Sequence, residues 1–219
     1  MNDLFLNAIV IAGTLVVVVF IFMLTKRVRK RQVDLIRSLA QGHGWAFAEI
    51  RERLSSGFRL QSEHWTLEAL TWSSGHSPEP SQSEVNQRTH LWTEKINGFS
   101  GLVLIGPWAG NVPDLGNLGR VMANQIIERY IGVPNANLQN IQTGSSDFQK
   151  KYKVFAQGAN DVPRILTPDV EHQLLQWKGP LPVIKITSQE MRIELQGKHC
   201  KTPSDILAVT RLADGIMSN

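Results

Sequence analysis

The apolar positions of this chain fall into two regimes, one unbroken run and then a long stretch of short periodic segments. From Leu4 to Leu24 there are 21 consecutive uncharged residues, dominated by Val, Ile, Leu and Phe and interrupted only by Asn7, Gly13 and Thr14. As a helix this run covers ~31 Å, close to the ~30 Å hydrocarbon core of a bilayer. Only Met1, Asn2 and Asp3 precede it, and no small-residue cleavage site follows it, so an uncleaved transmembrane anchor is expected rather than a removed signal. Val33, Leu35, Ile36, Leu39 and Ala40 then recur at helical spacing, with Gly42 as a stop. The anchor helix should therefore continue out of the membrane to about Gln41.

Beyond Gly42 the periods are those of short strands and helices. Phe58–Gln61 and Trp65–Trp72 read as a hairpin, the second alternating Trp65, Leu67 and Ala69 against Thr66 and Glu68. Residues 73–84 hold five serines, two prolines and no large apolar side chain, which predicts a flexible surface loop. Arg88–Ile96 and Gly101–Ile105 read as two further strands joined at Asn97-Gly98, giving four consecutive antiparallel strands. A helix is expected over Leu118–Ile131, a half-buried strand over Phe148–Ala156, and a helix from Thr167-Pro168-Asp169 to Trp177. Pro182–Ile186 and Met191–Gln196 form a second hairpin, and Thr202-Pro203-Ser204-Asp205 caps a last helix with Ile206, Val209, Ala213 and Ile216 inward.

The fold class this predicts is α+β: an N-terminal transmembrane helix followed by one domain of mainly antiparallel strands packed with about three helices. The organisation is an anchor over 1–25, a basic juxtamembrane flank and helix over 26–41, and a cytoplasmic α+β domain over 42–219.

Charge changes this picture in one respect. The chain has 23 Lys+Arg against 19 Asp+Glu and a pI near 9.4, which invites a nucleic-acid reading. Five of those bases are Lys26, Arg27, Arg29, Lys30 and Arg31, directly after the apolar run; setting them and Asp3 aside leaves 18 of each sign. The basicity belongs to the membrane flank, and no nucleic acid is expected as partner. Positive charge beside a span is retained in the cytoplasm, so the N-terminus should lie outside and the domain inside, at the cell inner membrane, as a single-pass protein. The flank also attracts anionic head groups, at about 1 kcal/mol per basic residue near the surface.

From Asp147 onward the chain resembles a segment of bacterial single-span membrane-anchored proteins of uncharacterised function. There a Phe-x-x-x-(Phe/Tyr)-x-Val strand leads to a Leu-(Thr/His)-Pro helix start. The residues that carry the resemblance are Phe148, Tyr152, Val154, Leu166, Thr167 and Pro168, with Gly42-His43-Gly44-Trp45 after the anchor helix. It implies a single span with one cytosolic α+β domain, and it brings no functional residues with it.

Chemistry is sparse. Cys200 is the sole cysteine, so no intramolecular disulfide forms. Its neighbours Lys198, His199 and Lys201 would favour a thiolate, yet His199, adjacent in an extended segment, points the other way and makes a poor base. The six histidines show no metal-ligand spacing, so no metal and no cofactor is expected, and no catalytic residue stands out. The glycines from Gly106 to Gly119 precede a predicted helix, the setting for an anion, with Gly116 and Gly119 as candidate binding positions; they lack the Lys-Ser/Thr of a phosphate loop. Among six tryptophans, Trp92 alternates with His90 and Glu94 on a polar face and is the candidate interface residue.

Two function classes stay open. The favoured one is a membrane-anchored cytoplasmic binding or assembly module that recruits a protein partner to the inner membrane. The alternative is a membrane-bound enzyme or anion/nucleotide-binding protein with a site near Gly106–Gly119 or Cys200. A homo-oligomer through a sheet edge or the anchor is compatible with either, although Val17, four residues after Gly13, supplies no small-residue dimer motif.

Overall fold

The computed structural model describes residues 2–53, 55–73, 85–94, 99, 101–107 and 138–218, with helical side chains from residue 13 onward. The loop expected over 73–84, the Asn97-Gly98 turn, the helix expected over 118–131, and Gly116 and Gly119 lie largely or wholly outside these residues. The chain is α+β, with a nine-stranded sheet whose pairings are all antiparallel.

Helix α1 (Asn2–Gly42) leads into β1 (Ala46–Arg51), β2 (Ser55–Gln61), β3 (Thr66–Ser73), β4 (Val85–Thr93), β5 (Val103–Gly106) and β6 (Gln139–Ile141). Then follow α2 (Ser146–Lys151), β7 (Lys153–Ala156), α3 (Val162–Ile165), α4 (Pro168–Leu175), β8 (Val183–Ile186), β9 (Met191–Gln196) and α5 (Pro203–Met217). The strand order is β1-β2-β3-β4-β9-β8-β5-β7-β6.

One line of cross-strand partners explains why so many short strands cohere. Phe47, Leu60, Leu67, Leu91, Ile193, Ile184, Ile105, Val154 and Ile141 lie opposite one another in succession, one from each strand. Directly opposite residues share a face, so the nine side chains form one apolar stripe across the whole sheet. The seven inner members are at most 2% exposed. All five described helices feed the same core, through Ile36 and Ala40 of α1, Phe148 of α2, Val162 of α3, Val170 and Leu174 of α4, and Val209 and Ala213 of α5.

The β4–β5 hairpin read from the sequence does not form. The β8–β9 hairpin sits between the two strands, with Leu91 opposite Ile193 and Ile184 opposite Ile105. Four strands with three spacings of ~4.8 Å put β5 about 14 Å from β4. The nine residues between them reach farther than that. All four residues of β5 are buried, so it needs neighbours on both edges and finds β8 and β7.

A second correction concerns Phe148. The segment 146–151 is helical, capped by Ser145, whose hydroxyl accepts from the Phe148 amide at 3.3 Å, with Asp147 in the first turn and Lys150 and Lys151 in the last. Only Lys153–Ala156 is strand, and α2 and α3 are short helices that the sequence reading did not expect, so four described helices follow α1. Two expected helix starts hold, those at Thr167 and Thr202. The Thr167 hydroxyl accepts from the Val170 amide, and the Thr202 hydroxyl from the Asp205 amide.

Helix α1 ends at Gly42, within a residue of the expected end, and the chain turns over the two residues beyond it. The Trp45 amide donates to the Ala40 carbonyl (2.8 Å) and the Gly44 amide to the Gln41 carbonyl (3.2 Å), with Gly44 at φ +69°. This is a Schellman ending with Gly44, not Gly42, in the left-handed position. Among the described residues no helix is long and apolar enough to cross a membrane.

Two stability outcomes follow, measurable by chemical denaturation of the full chain in detergent with tryptophan fluorescence as the signal. Leu91→Ala, at the centre of the stripe, should cost ~2–5 kcal/mol. Gly44→Ala should cost about 1 kcal/mol for its left-handed backbone, whereas Gly42→Ala, helical and facing open space, should stabilise by ~0.5–1 kcal/mol. Equal effects at 42 and 44 would rule out this helix ending.

Candidate functional site

The part of the fold that differs most from a closed globule lies beneath α1. Ile36 and Ala40 are buried against the sheet, at 2% and 0% exposed. One and two turns earlier, Val33 is half-buried and Val28 is exposed. The helix thus lifts off the sheet toward its N-terminus and leaves a wedge.

On one side the wedge is a cleft of about 460 Å³ between Leu24, Val28 and Val33 of α1 and Phe58 of β2, closed by His199 and Lys201. The Thr71 hydroxyl and His199 Nδ1 are 2.7 Å apart there, and the His199 ring tilts against Phe58 at 5.7 Å. Gly57, in the floor, lies so close to the Ala69 carbonyl that a Cβ would collide with it. On the other side of α1 a cleft of about 570 Å³ is bordered by Phe22, Lys26, Lys30, Arg37, Glu49 and Arg51.

The charges around the wedge are unevenly paired. Glu49 holds Arg51 at 2.7 Å and Asp34 holds Arg37 at 3.6 Å, so both carboxylates are neutralised by arginines of their own elements. Arg37 also lies over the Phe47 ring at 5.2 Å. Among the described residues Lys26, Lys30 and Lys201 make no ion pair. Of the flank predicted from sequence, Lys26, Arg27, Lys30 and Arg31 are exposed on α1, and Arg29 is placed by its helical backbone alone. Spacing by four residues sets Lys26 and Lys30 on one stripe, which is why both border the same cleft.

The other candidates separate. Trp92 is half-buried, stacked on His90 with ring centroids 4.7 Å apart, on the sheet face opposite the helices. Trp72 shares that face, with the Arg88 guanidinium 5.8 Å from its ring centre. Cys200 is fully buried; its amide donates to the Thr89 hydroxyl (2.9 Å), which donates to the Lys198 carbonyl (2.9 Å). Burial pushes its thiol up to about 11, so the flanking cations do not produce a thiolate. Among the described residues no group of three or more His, Cys, Asp or Glu could hold a metal.

Sequence reading passed over His90. Its Nε2 is buried and has no hydrogen-bond partner among the described residues. Burial first, then the charges of Arg88 and Arg192, hold the imidazole down at about 4, against a smaller opposite effect of Glu190. Neutral His90 stacked on Trp92 is the ground state at neutral pH.

No family model and no curated protein matches the chain. Among solved structures, the crystal structure of the mycobacterial trehalose monomycolate transport factor A, TtfA, aligns at 8% identity with a TM-score of 0.45, over 85% of this chain and 93% of that one.

Because the folded value of His90 lies below the ordinary ~6.5, the unfolded chain takes its proton first. The contribution of His90 to stability is complete above about pH 6.5 and is lost as pH falls toward 4. His90→Gln should flatten that acid limb, and the imidazole proton shift of His90 should stay constant from pH 8 to pH 5.5. A shift with a midpoint near 6.5 would refute the buried neutral ring.

Proposed function

We propose that this chain is a single-span protein of the inner membrane, N-terminus outside, whose cytoplasmic α+β domain is a binding module for a protein partner. The observation that carries the reading is the surface of α1. Ten consecutive large apolar residues, Leu15–Leu24, are each 44–67% exposed, around the full circumference of a helix whose other end is built into the core of the domain. Removing such side chains from water is worth roughly 1.5–3 kcal/mol each. For the set this exceeds the ~5–15 kcal/mol that holds an ordinary domain together, so a non-aqueous surrounding is favoured strongly.

Local chemistry supports a boundary near Thr25. Its hydroxyl donates back to the Ile21 and Phe22 carbonyls (3.0 and 2.9 Å), which satisfies it without water. The five bases directly beyond it set the orientation. Support for a protein partner comes from Trp92, Trp72 and Arg88 on the face that none of the described helices covers, residue types that dominate interface energetics. Anchoring confines such a module to the membrane, where modest affinity suffices. The enzyme alternative loses one of its two candidate sites, since a thiol as buried as Cys200 is a poor nucleophile.

Burial of Cys200 also makes it a poor topology probe, because it would escape labelling on either side of the membrane. The suitable probe is Ser188→Cys, on the exposed β8–β9 turn, in a Cys200→Ala background. In intact cells it should resist a membrane-impermeant maleimide and react after lysis without denaturant, and alkaline carbonate should leave the protein in the membrane pellet. Affinity purification in mild detergent should return a partner in stoichiometric amount, and Trp92→Ala should lower its yield on the order of tenfold. Labelling of intact cells would overturn the orientation, release by carbonate the anchor, and purification without a partner the module.

A further inference from the structure

The wedge under α1 has an apolar wall, a cationic rim and a mouth at the end of the apolar run, and these three features are explained by one occupant. Its apolar wall, Val28, Val33, Ile36 and Phe58, starts at Leu24, the last residue of the exposed apolar run, with Thr25, Gln32 and Glu49 also bordering the cleft. From Leu24 to Ile36 the helix rises ~18 Å, enough for a chain that spans one leaflet, about half of the ~30 Å core. A volume of about 460 Å³ is also that of a ligand site rather than a packing defect. At the rim, Glu49 and Asp34 are occupied by Arg51 and Arg37, and the ammonium of Lys201 is left without a carboxylate among the described residues.

We infer that the wedge holds one acyl chain of an anionic phospholipid from the adjoining leaflet, with the phosphate at Lys201. Lys26 and Lys30, on the other side of α1, enrich anionic lipid around the mouth. The acyl chain replaces water along exposed Val28 and half-buried Val33, over a floor that buried Ile36 and Phe58 form. The Thr71–His199 hydrogen bond closes the polar side of the cleft internally, so those groups do not require solvent. The inference rests on α1 being a span, and it adds what the domain binds at the membrane surface.

The experiment uses the full chain in vesicles of phosphatidylethanolamine and phosphatidylglycerol, with a trace of phosphatidylglycerol carrying a diazirine at the end of one acyl chain. After photolysis, peptide mapping should find label at residues 32–36 and 56–58 as well as in the run 4–24. Val33→Trp, which fills the wedge, should lower the label at 56–58 on the order of tenfold while label within 4–24 persists. Lys201→Gln should lower it about fivefold, the factor expected for one lysine at the membrane surface. The same probe with a phosphatidylcholine head group should label 56–58 less. Val28→Trp, at an exposed position on the same wall, repeats the block if Val33→Trp unfolds by fluorescence.

Label confined to 4–24, or label at 56–58 indifferent to both tryptophan variants, would overturn the cleft assignment. Equal labelling by the two head groups would overturn its anionic selectivity. Carbonate extraction before photolysis separates the two ideas: a released protein refutes the span and this inference together, and a retained protein labelled only in 4–24 refutes the cleft alone.

Discussion

The stripe of nine apolar side chains from Phe47 to Ile141 is the constraint from which the rest of the structure follows. Its strands are only three to nine residues long, and none could bury its apolar side chain alone. Strand pairing brings the side chains into one line and helices on a single face cover it. A line that crosses the whole sheet needs cover along its whole length. The two ends, Phe47 and Ile141, remain half-buried, and the helix nearest the Phe47 end is α1.

That helix therefore has two unlike ends. Its last two turns supply Ile36 and Ala40 to the domain core, and Leu15–Leu24 are exposed apolar side chains. A rigid rod cannot follow a twisted sheet and also leave it, so contact ends near Ile36 and the wedge opens beyond. The Schellman ending at Gly44 fixes where the helix stops and where β1 starts. Stacking of His43 on Trp45, and of Trp45 edge-on to Trp65, pins the same corner. The wedge is thus a consequence of joining a straight helix to a twisted sheet, and its chemistry comes from residues that each have another structural reason for their place.

Much of this was legible in the sequence. Hairpins β2–β3 and β8–β9, the caps at Thr167 and Thr202, and the inward face of α5 follow from periods and cap residues that act within about ten positions. The helical Phe148 was legible too, in Ser145 and Asp147, but the alternation through Tyr152 and Val154 masked it, since the strand starts at Lys153, directly after the helix. The β4–β5 pairing was misread for a different reason. A turn dipeptide reports that the chain can reverse there and says nothing of which strand will occupy the edge. The partner, β9, is about a hundred residues away.

The candidate sites divide along the same line. The sequence by itself determined the apolar run, the basic flank with Lys26 and Lys30, the α+β class and the local elements, because each depends on spacing between near neighbours. Tertiary structure alone decided that β8 and β9 enter between β4 and β5, that Cys200 is sealed beneath Thr89, and that His90 is kept neutral between Arg88 and Arg192. It alone set Phe58, His199 and Lys201 opposite Val28 and Val33. Those relations join residues far apart in the chain, and they are fixed by which apolar faces must share one core, a condition satisfied only when every strand has taken its place.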